Sequence, residues 1–434
     1  MKIVIITALL AALCTPFAFA QQSGSSEWKP APAIHDVPKS FSKESAVFVL
    51  DKRHIEYKSN EKETYVLRTV HRIIKVLDDK GIEGFNKMSV STGPGREVGP
   101  IKARTILPGG KVINVTQDKI RLTKSDDGQE EYVFAMEGME KNAEVEILYT
   151  ERREFALFGT EVLQFGIPTM TADFTLITPS SLRFETKGYN GLAATKDTVI
   201  DESRIHQTVV RDIPSLEEEP YSNHEAHLMR VSYRLSFSER DNPDVRLFTW
   251  NDLAKRLYEQ MYVFTDKERK VTEKYLKTLG VSAQDSDEEK IRKIEDGLKT
   301  NIHMSDEISD ESYLNFDKIV DKKLTTENAY CRFFSSCLKS AGVNFEYGLT
   351  SNRFNFPLDD KFENWKLLEI PVIYFPSVKK YLAPTSIFHR MPFLPQGALS
   401  NKGVFCKTTT IGDLTSAIST IRMINPLPLE TTSN

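Results

Sequence analysis

Residues 325–349 read TTENAYCRFFSSCLKSAGVNFEYGL, and this stretch decides the fold class of the second half of the chain. Thr325 or Thr326 can cap a helix, because a side-chain hydroxyl there accepts a hydrogen bond from a free backbone N–H of the first turn. The helix is expected to end near Gly342. Residues 345–349 contain Phe345, Tyr347 and Leu349 and predict a strand. A helix that leads directly into a strand is typical of an α+β arrangement.

Helical patterns precede this stretch. An apolar residue recurs every four positions from Leu253 to Met261, which predicts a helix over residues 251–263. A second helix is predicted over residues 266–279, and a capping box at residues 286–289 opens a third. These apolar stripes are expected to form the core of the second half.

Strand patterns follow the central stretch, over residues 365–374 and 379–382. Helices followed by an antiparallel sheet form an α+β domain, which we place at residues 245–400. From Pro392 onward the pattern weakens. Residues 401–434 are therefore assigned to a C-terminal extension.

The first half of the chain has a different periodicity. Apolar residues there alternate with a period of two, in runs rich in β-branched and aromatic residues. The clearest runs are residues 46–50, 64–68, 70–76, 144–149 and 174–177. They are separated by turn residues at 78–81, 108–110 and 179–181. Many short strands with such turns predict an antiparallel β-sandwich domain over residues 45–238, so the fold class overall is α+β.

The first residues have the layout of a secretory signal peptide. Lys2 precedes an almost unbroken apolar run over residues 3–13, and small residues lead to a cleavage site after Ala20. A lipoprotein site would need a small residue before Cys14, where a leucine stands. We therefore predict that residues 1–20 are a cleaved signal peptide.

The segment behind this signal is predicted to be a linker. Residues 21–44 are polar and contain spaced prolines, a composition that favours an extended chain. No later segment has the roughly 20 apolar residues of a membrane-spanning helix. We expect an exported protein in the periplasm, at the cell surface or secreted, with no membrane span once the signal is removed.

Charge and cysteine content exclude two classes of protein. The formal net charge is −4, with both signs interspersed, so no nucleic-acid partner is expected. Without the signal peptide the chain has Cys331, Cys337 and Cys406, and three cysteines do not make a disulfide framework. Cys331 and Cys337 would lie about 9 Å apart along a helix axis and on different faces, which disfavours a bridge between them.

Several segments carry a resemblance by their order and spacing. They are IKARTILPGGK at residues 101–111 and the segments 134–138, 145–149, 164–168, 249–254, 338–343 and 381–385, together with Pro179. This series resembles a bacterial domain of unknown function followed by a transglutaminase-like domain, and it covers roughly residues 45–400. The resemblance implies a papain-like α+β fold for the second domain.

Transglutaminase-like enzymes use a Cys-His-Asp triad, in which a thiolate attacks and an imidazole moves the proton. The resemblance places the nucleophile at Glu327, the histidine at Asn364 and the aspartate at Ala383. None of the three has the required side chain. We call the groove that these positions would line the relict cleft, and we expect no catalytic residues there.

Cys331 is the alternative nucleophile. It lies four residues after Glu327, on the same helix face and about 6 Å deeper along the axis. His303 and His389 are the candidate histidine partners. Against catalysis, a cysteine between Tyr330 and Arg332 is more often a small buried hydrophobic residue.

No cofactor or metal is expected. His224 and His227 are three residues apart, but no further zinc ligand is evident nearby. The sequence therefore predicts a noncatalytic exported binding or scaffolding protein. The resemblance implies a peptide or protein ligand in the relict cleft; a scaffold that works through the edges of the sandwich, and a thiol enzyme that uses Cys331, are the alternatives.

Overall fold

The computed structural model describes residues 28–60, 62–93, 95–124, 128–240, 242–411 and 414–425. The predicted signal peptide and the start of the predicted linker lie outside these residues. The chain divides into two compact units, Met1–Glu154 and Phe155–Asn434. Strands outnumber helices, and the fold is α+β with several sheets. In the described part of the chain, no helix has the length and apolar character needed to cross a membrane.

The first unit is built of antiparallel strands. The elements of this unit are β1 (Ala46–Ser59), β2 (Thr64–Val76), α1 (Asp79–Phe85), β3 (Lys87–Ser91), β4 (Arg96–Val98), β5 (Lys102–Ile106), β6 (Val112–Asn114), β7 (Arg121–Lys124), β8 (Glu130–Ala135) and β9 (Glu144–Glu154). Five of the strands pair in the order β1-β2-β9-β5-β6, and β4 also pairs with β9. Three more strands pair in the order β3-β8-β7.

Two local predictions for this unit need correction. Residues 64–68 and 70–76 form the single strand β2, because its pairing with β1 and with β9 continues through Thr69. Residues 78–81 are the start of helix α1 and not a plain turn, since the Asp78 carboxylate accepts from the Gly81 N–H at 2.9 Å and caps the helix. The predicted turn at residues 108–110 does join β5 to β6.

The second unit contains further antiparallel strands and most of the helices. Its elements are β10 (Phe158–Val162), β11 (Thr169–Pro179), β12 (Leu182–Tyr189), β13 (Lys196–Ile200), β14 (Ser203–Ile213), α2 (His224–His227), β15 (Arg230–Ser238), α3 (Trp250–Tyr262), α4 (Asp266–Thr278), α5 (Asp287–Asn301), β16 (His303–Met304), α6 (Phe316–Lys322), β17 (Leu324–Thr325), α7 (Glu327–Ser340), β18 (Glu346–Thr350), β19 (Ile370–Phe375), β20 (Lys380–Leu382), β21 (Asn401–Ile411) and β22 (Leu414–Ile424).

The division after Glu154 differs from the predicted boundary at residue 238. Residues 155–238 belong to the unit that contains helices α3 to α7. Side chains of strands β12 and β15 form a hydrogen bond and an ion pair with the segment before β19. Arg234 of β15 pairs with Glu363, and Tyr189 of β12 donates to Asp359 at 2.9 Å. Partly buried polar contacts of this kind join the two parts of the second unit.

The largest sheet of this unit has the order β20-β19-β18-β21-β22. Strand β21 pairs with β18 over residues 403–406 and with β22 along its whole length. Residues 401–411 and 414–424 are thus part of the sheet, whereas the sequence analysis assigned them to a C-terminal extension. The weak sequence pattern after Pro392 has a physical reason: the chain first makes an irregular segment and then returns to the sheet.

Helices α3, α4, α5 and α7 contribute apolar faces to one core with this sheet, as their apolar spacing predicts. Capping boxes open three of these helices, at Thr249–Asp252, Thr265–Glu268 and Ser286–Glu289. The predicted box at residues 286–289 is therefore confirmed. Each box satisfies backbone N–H groups that the first turn would otherwise leave free.

A substitution at Gly348 can test how tightly the side chains of this sheet are packed. It is the cross-strand partner of the fully buried Phe405, and a Cβ at position 348 would lie 2.4 Å from the Phe405 ring. We expect Gly348→Ala to lower the free energy of unfolding by about 1–3 kcal/mol, the usual cost of overpacking. Gly109→Ala, at a turn with nothing within 4 Å of the added carbon, is the matched control. Equal urea midpoints for the two variants would contradict the described contact.

Candidate functional site

Glu327 occupies the first turn of α7. Thr326 caps the helix, with its hydroxyl accepting from the Ala329 N–H at 3.4 Å. The preceding strand β17 pairs in parallel with β16, and this pairing continues as a hydrogen bond from the Ser305 N–H to the Thr325 carbonyl at 3.0 Å. The segment around Ser305 therefore runs beside the start of α7.

Three side chains meet at this helix start. Partial desolvation raises the pKa of the Glu327 carboxyl even though the residue as a whole is exposed. A hydrogen bond with Thr385 opposes this rise, and the nearby charge of Asp306 adds to it. The structure thus brings Glu327 together with Thr385, two residues after Ala383, and with Asp306, which the sequence analysis missed. We call Glu327, Asp306 and Thr385 the Glu327 cluster.

The effects on Glu327 have opposite signs and can be separated. We expect Asp306→Asn to lower the pKa of Glu327, because a like charge is removed, and Thr385→Val to raise it, because a hydrogen bond to the carboxylate is lost. NMR titration of the Glu327 side-chain carboxyl measures both shifts. Shifts of the same sign in the two variants would contradict this arrangement.

Cys331 lies one turn deeper in α7, as predicted, and is buried. Its thiol and the Tyr347 hydroxyl are hydrogen-bonded, and burial raises the pKa of the Cys331 thiol to about 12. Cys337 and Cys406 are also free and buried, and burial raises the pKa values of both thiols. A raised pKa favours the protonated thiol at neutral pH, whereas the thiolate is the form that attacks an acyl group.

The candidate imidazole partners of Cys331 are engaged elsewhere or exposed. His389 Nδ1 is hydrogen-bonded with the Ser386 hydroxyl at 2.7 Å. His303 is an exposed residue of β16. Among the contacts of the described residues, none joins the Cys331 thiol to an imidazole. The geometry does not assemble a thiol–imidazole pair.

Ala383 and Asn364 lie in an apolar cluster and at a small cavity, respectively. Ala383 follows β20 and packs in an apolar cluster with Val372, Phe405 and Ile424, where its side chain is buried. Asn364 precedes a short 3-10 turn at Trp365–Leu367 and lines a separate cavity. Glu327, Ala383 and Asn364 thus have different neighbours: Thr385 and Asp306 for the first, an apolar cluster for the second and a small cavity for the third.

The cavity at Asn364 is small, and polar and apolar side chains both line it. Its volume is about 20 Å³, room for one water molecule, and its lining includes Arg230, Ser232, Trp250 and Ser351. Asn364 is 95% buried, and neither its amide nitrogen nor its amide oxygen has a hydrogen-bond partner within the described protein. An amide buried in this way favours an ordered water as its partner. The position that the family gives to a histidine thus forms part of the protein interior.

The two histidines considered for zinc lie in the four-residue helix α2. His227 Nδ1 is hydrogen-bonded with the Asn223 carbonyl at 2.9 Å. Within the described ranges, no group of three or more His, Cys, Asp or Glu side chains is arranged to hold a metal ion.

A family model and a solved structure are similar to parts of this chain. The model of a domain of unknown function with a solved structure (DUF3857) matches residues 65–217. The solved structure named "putative protease" from Parabacteroides distasonis ATCC 8503 is 13% identical, with a TM-score of 0.61, over 89% of this chain and 72% of that chain. At this identity the likeness shows a shared fold and nothing of activity.

The other comparisons add little. An M1 zinc metallopeptidase from Deinococcus radiodurans is 9% identical over 44% of this chain and 43% of that chain. Its TM-score of 0.25 supports no argument. No curated protein matches the chain significantly.

Proposed function

We propose that this chain is a noncatalytic exported protein that binds or scaffolds other proteins, built on a transglutaminase-like domain that has lost its triad. The observation that carries the proposal is the start of α7. An acidic residue, Glu327, stands where the resemblance places the nucleophile, and the thiol one turn deeper is buried with its pKa raised to about 12.

The chemistry of the other two positions supports the same conclusion. Asn364 carries no titratable proton, and its buried amide lines a small cavity. Ala383 has no group that could orient a base. Acyl transfer needs a nucleophile, a base and an orienting group within hydrogen-bond reach of one another. These residues supply none of the three roles.

The exposed carboxylates of the Glu327 cluster favour a binding role over catalysis. Glu327 and Asp306 are exposed carboxylates at a surface fixed by α7, β16 and β17. Such a surface can hold a ligand without changing it. Because family enzymes hold peptide-like substrates at this end of the domain, a peptide or protein is the ligand we propose. The competing proposal is an enzyme that uses Cys331 as its nucleophile. It would require α7 to expose this buried residue.

The test is turnover by the full chain. The wild type and a Cys331→Ala variant are incubated with peptides that contain glutamine, lysine and internal amide bonds, and with a peptide thioester. An active transglutaminase and an active thiol protease serve as positive controls for the substrates. We expect no cleavage, no cross-link and no acyl adduct on the protein by mass spectrometry. An adduct on Cys331, or product that the variant fails to make, would overturn the proposal.

A further inference from the structure

The loop of residues 386–393 presents three large apolar side chains to solvent. Phe388 is 88% exposed, Phe393 63% and Ile387 52%. We call this segment the Phe388 loop. Isolated exposed apolar residues are ordinary on protein surfaces, but a group of them on one short segment is typical of an interaction site.

A buried ion pair holds this loop in place. The side chain of Lys299 in α5 is fully buried, and its ammonium donates to Glu295 at 2.7 Å and to the His389 carbonyl at 2.7 Å. The two carboxylate oxygens of Glu295 accept from the Met391 N–H at 3.1 and 3.0 Å. A buried charge pair is stable only when its remaining hydrogen bonds are satisfied, and here the loop backbone satisfies them.

Further contacts fix the same loop. The Arg390 guanidinium donates to the Ile387 carbonyl at 2.9 Å, and the Arg292 guanidinium donates to the Met391 carbonyl at 3.3 Å. The exposed aromatic rings are thus carried by a backbone that is tied to α5. A surface whose conformation is fixed before binding loses little conformational freedom when a partner binds.

An acidic surface lies beside the loop. Thr385, which is hydrogen-bonded with Glu327, is three residues before Phe388, so about 11 Å of chain at most separates them. Neither Glu327 nor Asp306 forms an ion pair with a basic side chain in the part of the chain that the structure describes. Apolar and negative surface therefore adjoin one another.

We propose that the Phe388 loop and the Glu327 cluster together bind an extended peptide segment of another protein, in which a lysine or arginine lies two or three residues from a leucine or phenylalanine. The cation meets Glu327 and Asp306, and the apolar side chain packs on Phe388. This inference rests on the proposed binding function and names its ligand. A membrane surface is disfavoured as the occupant, because carboxylates beside the loop repel anionic headgroups.

The test uses fluorescein-labelled extended peptides in which one position is Lys, Glu or Ser and the position two residues later is Phe or Ser. Binding to the full chain is measured by fluorescence anisotropy at low and high salt. We expect the Lys–Phe peptide to bind most tightly and to weaken with salt. Phe388→Ser should weaken it by about tenfold or more. Glu327→Gln should weaken it about fivefold and reduce the salt dependence.

Ile418→Ser, which changes another exposed apolar residue, is the matched control and should bind like the wild type. Circular dichroism confirms that each variant is folded. Binding that is equal for all peptides, or absent, or unchanged by Phe388→Ser, would overturn the inference while the noncatalytic proposal stands. So would phospholipid-vesicle binding or self-association lost in Phe388→Ser without peptide binding. Cleavage or modification of the peptide would instead overturn the proposed function.

Discussion

Replacing Arg234 with methionine is expected to lower the free energy of unfolding of the second unit by about 3–5 kcal/mol. The Arg234 side chain is fully buried, pairs with Glu363 and donates to the Leu247 carbonyl. Burial lowers the pKa of the Arg234 guanidinium, and the charge of Glu363 opposes that effect. Methionine fills similar space but leaves Glu363 without its principal partner and the Leu247 carbonyl without this donor.

Arg246 provides the comparison. It also reaches Glu363, at 3.4 Å, and it pairs with both oxygens of Glu185 at 2.8 and 2.7 Å, but its side chain is 35% exposed. Arg246→Met should cost no more than about 1 kcal/mol, because solvent screens an exposed pair. Adding Glu363→Gln to Arg234→Met should cost less than the sum of the single changes, since the two residues share one interaction.

Urea unfolding followed by tryptophan fluorescence measures these effects. Trp250 and Trp365 lie in the second unit and Trp28 in the first, so a Trp28→Phe background makes the signal specific to the second unit. Equal stabilities for Arg234→Met and Arg246→Met would contradict the described burial of Arg234.

The sequence predicted best what depends on local chemistry. The capping box at Ser286 and the apolar stripe of α3 were found because a helix start and a buried helix face leave a periodic or fixed-spacing pattern. The strands β1, β2, β9 and β11 were found from their period of two. The α+β class follows from these elements alone.

Predictions that depend on the direction of one side chain were harder. A strand was expected from Trp365, but residues 365–367 form a 3-10 turn and β19 begins only at Ile370. The side chain of Asn364, directly before this turn, lines a small cavity. Sequence spacing shows a position along the chain, whereas a cleft depends on the direction of each side chain.

Contacts between distant segments could not be predicted at all. The Glu327 cluster depends on a two-residue parallel pairing of β16 with β17, which is too short to leave a pattern. Lys299 and Glu295 are spaced like an ordinary surface pair on a helix. This pair is instead buried against the Phe388 loop, which lies nearly a hundred residues later in the chain, and it holds the backbone of that loop in place.

The central claim is that this domain has no activated thiol, and the alkylation of Cys331 tests it most directly. The folded wild type is treated with iodoacetamide over a range of pH, and each cysteine is quantified by mass spectrometry of its peptide. Glu327→Cys, which places a thiol at the exposed helix start, shows that the reagent reaches this surface.

We predict that Cys331 is labelled at least about a thousandfold more slowly in the folded than in the unfolded chain near neutral pH, because its pKa is raised to about 12 and its thiol is buried. Glu327→Cys should be labelled rapidly. Rapid labelling of Cys331 in the folded chain, with a midpoint below the ordinary thiol pKa of about 8.5, would contradict the claim that this domain has no activated thiol. It would support the alternative of an enzyme that uses Cys331 as its nucleophile.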